Sequence, residues 1–144
     1  ASFGNQRLLG RPHLLFFGFT HCPDICPTTL ALLAQITRAE RAPDFGTLFV
    51  TVDPARDDQD TLRRYVDAFD SSFTGLRGED AALEPLLQTL GAERHVANTP
   101  DGGYMVDHSA TLFYLDAQGR LAAVFSPPFS LPALLADLTR LAKD

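Results

Sequence analysis

The chain has no tryptophan, one methionine and two cysteines among its 144 residues. Two cysteines cannot make a disulfide framework or a four-thiolate zinc cage. With Met105 the sole thioether, any soft-metal site has to use Cys22 and Cys26. Positive charge is also scarce. Twelve Lys and Arg stand against eighteen Asp and Glu, a net charge of -6, which leaves no basic stripe for nucleic acid or an anionic membrane surface. Long apolar runs are missing too: the longest, Leu14–Phe19, falls far short of the roughly 18 residues that span a bilayer. No basic leader region precedes it, and the first residue is Ala1 rather than Met. A trimmed start is expected, where an anchor or export signal would have stood.

What is present is a core. The chain is 45% hydrophobic with eleven Phe, which excludes intrinsic disorder and suits one domain over residues 1–144. Leu14–Phe19 reads as a buried strand, and Pro27 as the first position of a helix reaching about Arg41, with Leu30, Leu33 and Ile36 or Thr37 on one face. Thr47–Val52 is a second strand, closed by Asp53-Pro54. Leu62, Val66 and Phe69 lie at helical spacing behind the acidic run Asp57–Asp60, in which Asp57 or Asp58 is placed to cap the helix. Phe73–Leu76 reads as a short strand, and Leu83, Leu86, Leu87 and Leu90 as a helix ended by Gly91. Ala110–Leu115 and Leu121–Phe125 flank the turn Asp116–Gly119 as a hairpin. Ser130 caps a last helix with Leu131, Leu134, Leu135, Leu138 and Leu141 in one stripe. Strands alternating with helices, then a hairpin and a closing helix, predict an α/β domain with a mixed sheet.

The two cysteines fall where the first strand meets its helix, in Phe16-Phe-Gly-Phe-Thr-His-Cys22-Pro-Asp-Ile-Cys26-Pro27. Strand ends of open α/β sheets are where sites form. Free backbone N–H groups and the helix dipole there lower a thiol pKa. In a helically coiled loop, residues four apart share one face, so the pair can close a disulfide or offer two soft ligands to one metal ion. Buried free thiols are the bland alternative. A structural staple is another, but so small a ring stabilises by only about 2 kcal/mol, against about 5 for a 100-residue loop.

The function then depends on a third group. Two thiolates alone suit redox exchange, whereas two thiolates and an imidazole suit copper, because sulfur selects Cu(I) and nitrogen also accommodates Cu(II). His13 and His95 read as surface residues, and the His21 ring would project away from a sulfur cluster formed by its neighbours. His108 precedes the Ala110–Leu115 strand, a place where a histidine is often purely structural. Spacing alone does not bring it to Cys22.

The stretches FFGFTHCPDICP, TVDPARD and YMVDHSATLFYLD, in that order, resemble the Sco/SenC family of copper chaperones over about residues 8–142. The resemblance implies a thioredoxin-like fold with a mixed sheet flanked by helices. It also implies one copper ion, Cu(I) or Cu(II), held by Cys22, Cys26 and His108. The acceptor would be the binuclear copper centre of cytochrome c oxidase. Such proteins work in the periplasm or at the mitochondrial inner membrane, anchored by an N-terminal segment, and a monomer is expected. Asp53 matches the family's Asp-Pro and is read as structural or as a neighbour of the metal loop, outside the ligand set. Only Ala1–Pro12 precedes the first buried strand, less than the family usually carries.

The rival function is a thiol–disulfide oxidoreductase using Cys22 and Cys26 as its redox pair. Against it, three residues separate the cysteines where thioredoxins have two, and no Pro directly precedes the Ala110–Leu115 strand. A thiol peroxidase would need Thr where Pro23 or Phe19 stands. A zinc module lacks a fourth ligand unless His21 or a partner supplies it.

Overall fold

The computed structural model describes residues 10–20, 25–39, 42–52, 57–77, 88, 94–98, 104–108 and 111–143. Along the chain run β1 (His13–Gly18), α1 (Ile25–Thr37), β2 (Gly46–Thr51), α2 (Gln59–Asp67), β3 (Thr74–Leu76), β4 (Arg94–Asn98), β5 (Tyr104–His108), β6 (Leu112–Leu115), β7 (Leu121–Phe125) and α3 (Leu131–Lys143). Five strands form one sheet in the order β3-β2-β1-β6-β7, and β4 and β5 form a two-stranded ladder. β1, β2 and β3 are parallel. β6 runs antiparallel to β1, and β7 antiparallel to β6. The expected mixed α/β sheet is therefore present, and its architecture is thioredoxin-like.

Register separates the two faces of this sheet, because side chains alternate along each strand. Leu14, Phe16, Phe49, Leu112 and Tyr114 point to one face. There they meet Leu30, Leu33 and Ile36 of α1, Leu62 and Val66 of α2, and Leu134 and Leu138 of α3. Phe16 meets Phe49 edge to face at 5.0 Å, Phe49 stacks on Tyr65 at 5.7 Å, and Tyr65 tilts against Phe69 at 5.5 Å. These rings tie β1 and β2 to α2. Leu15, Phe17, Leu48, Val50 and Phe113 alternate onto the other face and are buried as well, with Phe17 edge-on to Phe113 at 6.0 Å. A central strand buried on both faces explains why β1 reads as a continuous apolar run rather than an alternating one.

The helix ends follow local chemistry. Asp58 is extended at the head of α2 and its carboxylate accepts from the Thr61 N–H at 2.7 Å, so of the two aspartates expected to cap, Asp58 does so. α1 starts at Ile25, two residues before Pro27, and stops at Thr37 rather than near Arg41. Pro27 stays within the first turn, where its missing N–H costs nothing. Arg38 then turns away to bond Asp70 Oδ2 at 3.1 Å and the Phe69 carbonyl. In the β6–β7 turn the Asp116 carboxylate accepts from the Gln118 and Arg120 N–H groups, each at 3.0 Å, and Gly119 takes φ +79. In α3, Leu134 and Leu138 are buried, while Leu131, Leu135 and Leu141 pack partly buried beside them. The helix expected around Leu83–Leu90 lies outside the described residues, apart from Gln88, which is helical.

Candidate metal centre

The parallel strands β1, β2 and β3 finish at one end of the sheet. The antiparallel register of β6 and β7 brings the start of β6 and the finish of β7 to that same end. The chain leaves β1 there toward Cys22 and leaves β2 toward Asp53. The two exits run together, since the Val52 N–H donates to the Gly18 carbonyl at 2.8 Å.

Asp57 organises this end. It is completely buried, and its carboxylate accepts three hydrogen bonds from other described residues. The Thr20 N–H donates to Oδ2 at 3.0 Å, the Thr20 hydroxyl to Oδ1, and the Thr51 hydroxyl to Oδ2 at 2.8 Å. A buried carboxylate is tolerable only with such donors around it. The Asp57 carbonyl in turn accepts from Arg77 Nε at 3.0 Å, beyond the end of β3. Gln59 Nε2 donates to the Gly75 carbonyl at 2.9 Å. One short segment, 57–59, therefore fastens the exits of β1, β2 and β3 together.

Around this framework the expected ligands distribute unevenly. Cys22 and His21 lie outside the described residues, as does Asp53. The backbone of Cys26 occupies the first turn of α1, where N–H groups have no helical acceptor and the dipole favours an anion. A thiolate is chemically suited to that position. His108 closes β5, where its register partner on β4 is Arg94. It thus ends a strand of its own, three residues before Thr111 leads into β6, instead of standing in a plain lead-in to the next strand.

His95 lies in β4, paired with Asp107, and one histidine expectation changes. His13 is not a surface residue: it is 6% exposed, because the first position of a central strand is covered from both sides. Its ring lies against Gly46 at the end of the sheet opposite the cysteines. Burial, followed by the nearby Arg11 charge, lowers its pKa below 6.5, opposed by the Arg11 backbone and by Asp44. His13 is thus a neutral packing residue, remote from the candidate metal centre.

Sequence reasoning missed Asp57 and the β4–β5 ladder. Asp57 sits in an acidic run whose obvious role was a helix start, and Asp58 fills that role. The ladder had a legible signal in Asn98-Thr-Pro-Asp-Gly-Gly103 between two short segments, which is turn chemistry between strands.

Among the described residues no helix is long and apolar enough to cross a membrane. The chain resembles the human mitochondrial protein SCO2 homolog, with 39% identity over 114 residues, covering 74% of this chain and 42% of that protein. Among solved structures, copper-bound ScoI from Bradyrhizobium japonicum superposes with a TM-score of 0.83 at 34% identity, over 94% of this chain and 88% of that one. Copper-bound ScoI from Arabidopsis thaliana gives a TM-score of 0.88 at 26% identity, over 97% and 89% of the two chains. The chain spans between 42% and 66% of the length of the curated relatives it matches. The SCO1/SenC family profile matches residues 1–143, and with this fold and these relatives the chain belongs to the SCO1/SenC family.

Proposed function

We propose that residues 1–144 act as a single copper-carrying domain, in which Cys22, Cys26 and His108 hold one copper ion and pass it to an acceptor. The observation that carries the reading is the sheet end at which the chain leaves β1 for Cys22, carries Cys26 in the first turn of α1 and enters β6 after His108. Two thiolates and one imidazole are a donor set for Cu(I) that also accommodates Cu(II). Three ligands leave the ion open to attack, so transfer proceeds by ligand exchange: acceptor thiolates or imidazoles bind as Cys22, Cys26 and His108 release. Family membership supports copper as the cargo, since ScoI relatives have been solved with copper bound. The acceptor in this reading is the binuclear copper centre of cytochrome c oxidase, at the periplasmic face of a membrane or in mitochondria, with the domain working as a monomer behind an N-terminal anchor.

The second reading, a thiol–disulfide oxidoreductase, is favoured by one observation: Cys26 lies in the first turn of a helix that follows a central strand. Reduced protein titrated with Cu(I) and Cu(II), beside an insulin-reduction assay, separates the two. One copper per chain, lost in Cys22→Ala and in Cys26→Ala, with no reductase turnover, supports the carrier. Fast turnover with only weak, nonspecific metal binding overturns it in favour of the oxidoreductase.

A further inference from the structure

We infer that Asp57 is a positioning residue for the metal loop, acting through Thr20. The inference rests on the copper reading above and names what anchors the chain two residues before Cys22. Thr20 stands two residues before Cys22, so the two Cα atoms are at most about 7 Å apart. Asp57 takes both the N–H and the hydroxyl of Thr20. It also holds Thr51, which is completely buried at the end of β2. The start of the cysteine loop is thereby bound, through one carboxylate, to a central element of the sheet.

Two architectural duties at this end are met without this carboxylate. Asp58 caps α2. β1 and β2 are held in register from His13–Gly46 through Gly18–Thr51 without it. Besides holding Thr51, the Asp57 side chain orients Thr20, two residues before Cys22. A loop fixed before binding loses less conformational freedom when its sulfurs close on one ion, so the clamp raises copper affinity without touching copper.

The test uses the full chain as wild type and as Thr20→Val, Thr20→Ser, Asp57→Asn and Asp57→Ala. Each variant is read for melting temperature, for Cu(I) affinity against a chromogenic chelator, and for the Cu(II)–thiolate absorption band. The iodoacetamide alkylation rate of Cys22 is measured in the reduced, metal-free protein. Thr20→Val keeps the shape of the side chain and removes one charge-assisted hydrogen bond. Its Cu(I) dissociation constant is expected to rise about tenfold, with a shifted Cu(II) band and an altered alkylation rate, while Thr20→Ser stays near wild type. Should Asp57→Ala fail to fold, Thr20→Val and Asp57→Asn decide the question. Folded variants with wild-type affinity, band and alkylation rate overturn the inference. If the wild type binds no copper at Cys22, Cys26 and His108, the copper reading falls. Alkylation then judges the clamp by itself: a changed rate restored in Thr20→Ser supports it, and an unchanged rate overturns it.

Discussion

The ring of His13 lies so close over Gly46 that a Cβ added there would stand 2.7 Å from the His13 Cδ2 atom. The two residues face each other at the first register position of β1 and β2. Gly46 is therefore kept small by its neighbour. A methyl group there requires the buried ring or the strand to shift, so Gly46→Ala should destabilise by about 1–3 kcal/mol, the usual cost of overpacking. Urea unfolding of Gly46→Ala, His13→Ala and the double variant checks this. The double variant should lose less than the sum of the singles, because removing the ring removes the clash.

The same ring makes stability depend on pH. Burial lowers the His13 pKa below 6.5 in the folded protein, so between that lowered value and 6.5 the unfolded chain binds the proton more readily. Its contribution to stability is complete above 6.5 and declines as pH falls below it. His13→Phe should flatten that part of the profile, measured as urea midpoints between pH 5 and 7.5. A slope unchanged by the substitution would assign the effect to other groups.

Leu138 of α3 is 1% exposed and belongs to the core between helices and sheet. Leu138→Ala should cost about 2–5 kcal/mol, transfer and cavity terms together. Leu141→Ala, on the same stripe but only partly buried, should cost visibly less in the same denaturant series. Equal losses would mean that α3 does not seat on the sheet through Leu138.

In the copper site proposed above, His108 is the ligand that should distinguish the two oxidation states. His108→Ala should weaken Cu(II) binding more than Cu(I), because two thiolates still satisfy the softer ion. Competition titrations with both ions, on reduced protein, give the comparison. Undiminished Cu(II) affinity in His108→Ala would remove His108 from the ligand set.

Asp58 caps α2 with an exposed carboxylate whose pKa is lowered, first by the Thr61 N–H that it accepts. Its contribution is present above 3.8 and lost as pH falls through the lowered folded value. Asp58→Ala should reduce the melting temperature at neutral pH, and Asp58→Asn, which can still accept the bond, should reduce it less. The difference between Asp58→Ala and the parent protein should shrink in acid.

Much of this molecule was legible from local pattern alone. The apolar run at Leu14–Phe19, the stripe Leu30, Leu33 and Ile36, and the turn Asp116–Gly119 each specify their element, because burial and turn geometry act over a few neighbouring residues. The spacing of Cys22 and Cys26 likewise points to a site by local pattern, and it is the basis of the copper proposal. Other features depend on residues far apart in sequence. That His13 is a buried neutral group is decided by β2 and β6 on either side of it. That Asp57 is an acceptor for Thr20, 37 residues away, rather than another cap in an acidic run, follows from strand order. Parallel pairing of β1 with β2 brings their exits together at one end of the sheet, and only there does one carboxylate reach both. Cys22 and Cys26 are a matter of sequence, whereas the framework from which the chain approaches them is set by tertiary structure. Hydrogen bonds between distant loops have no local signature until the sheet that aligns them has formed.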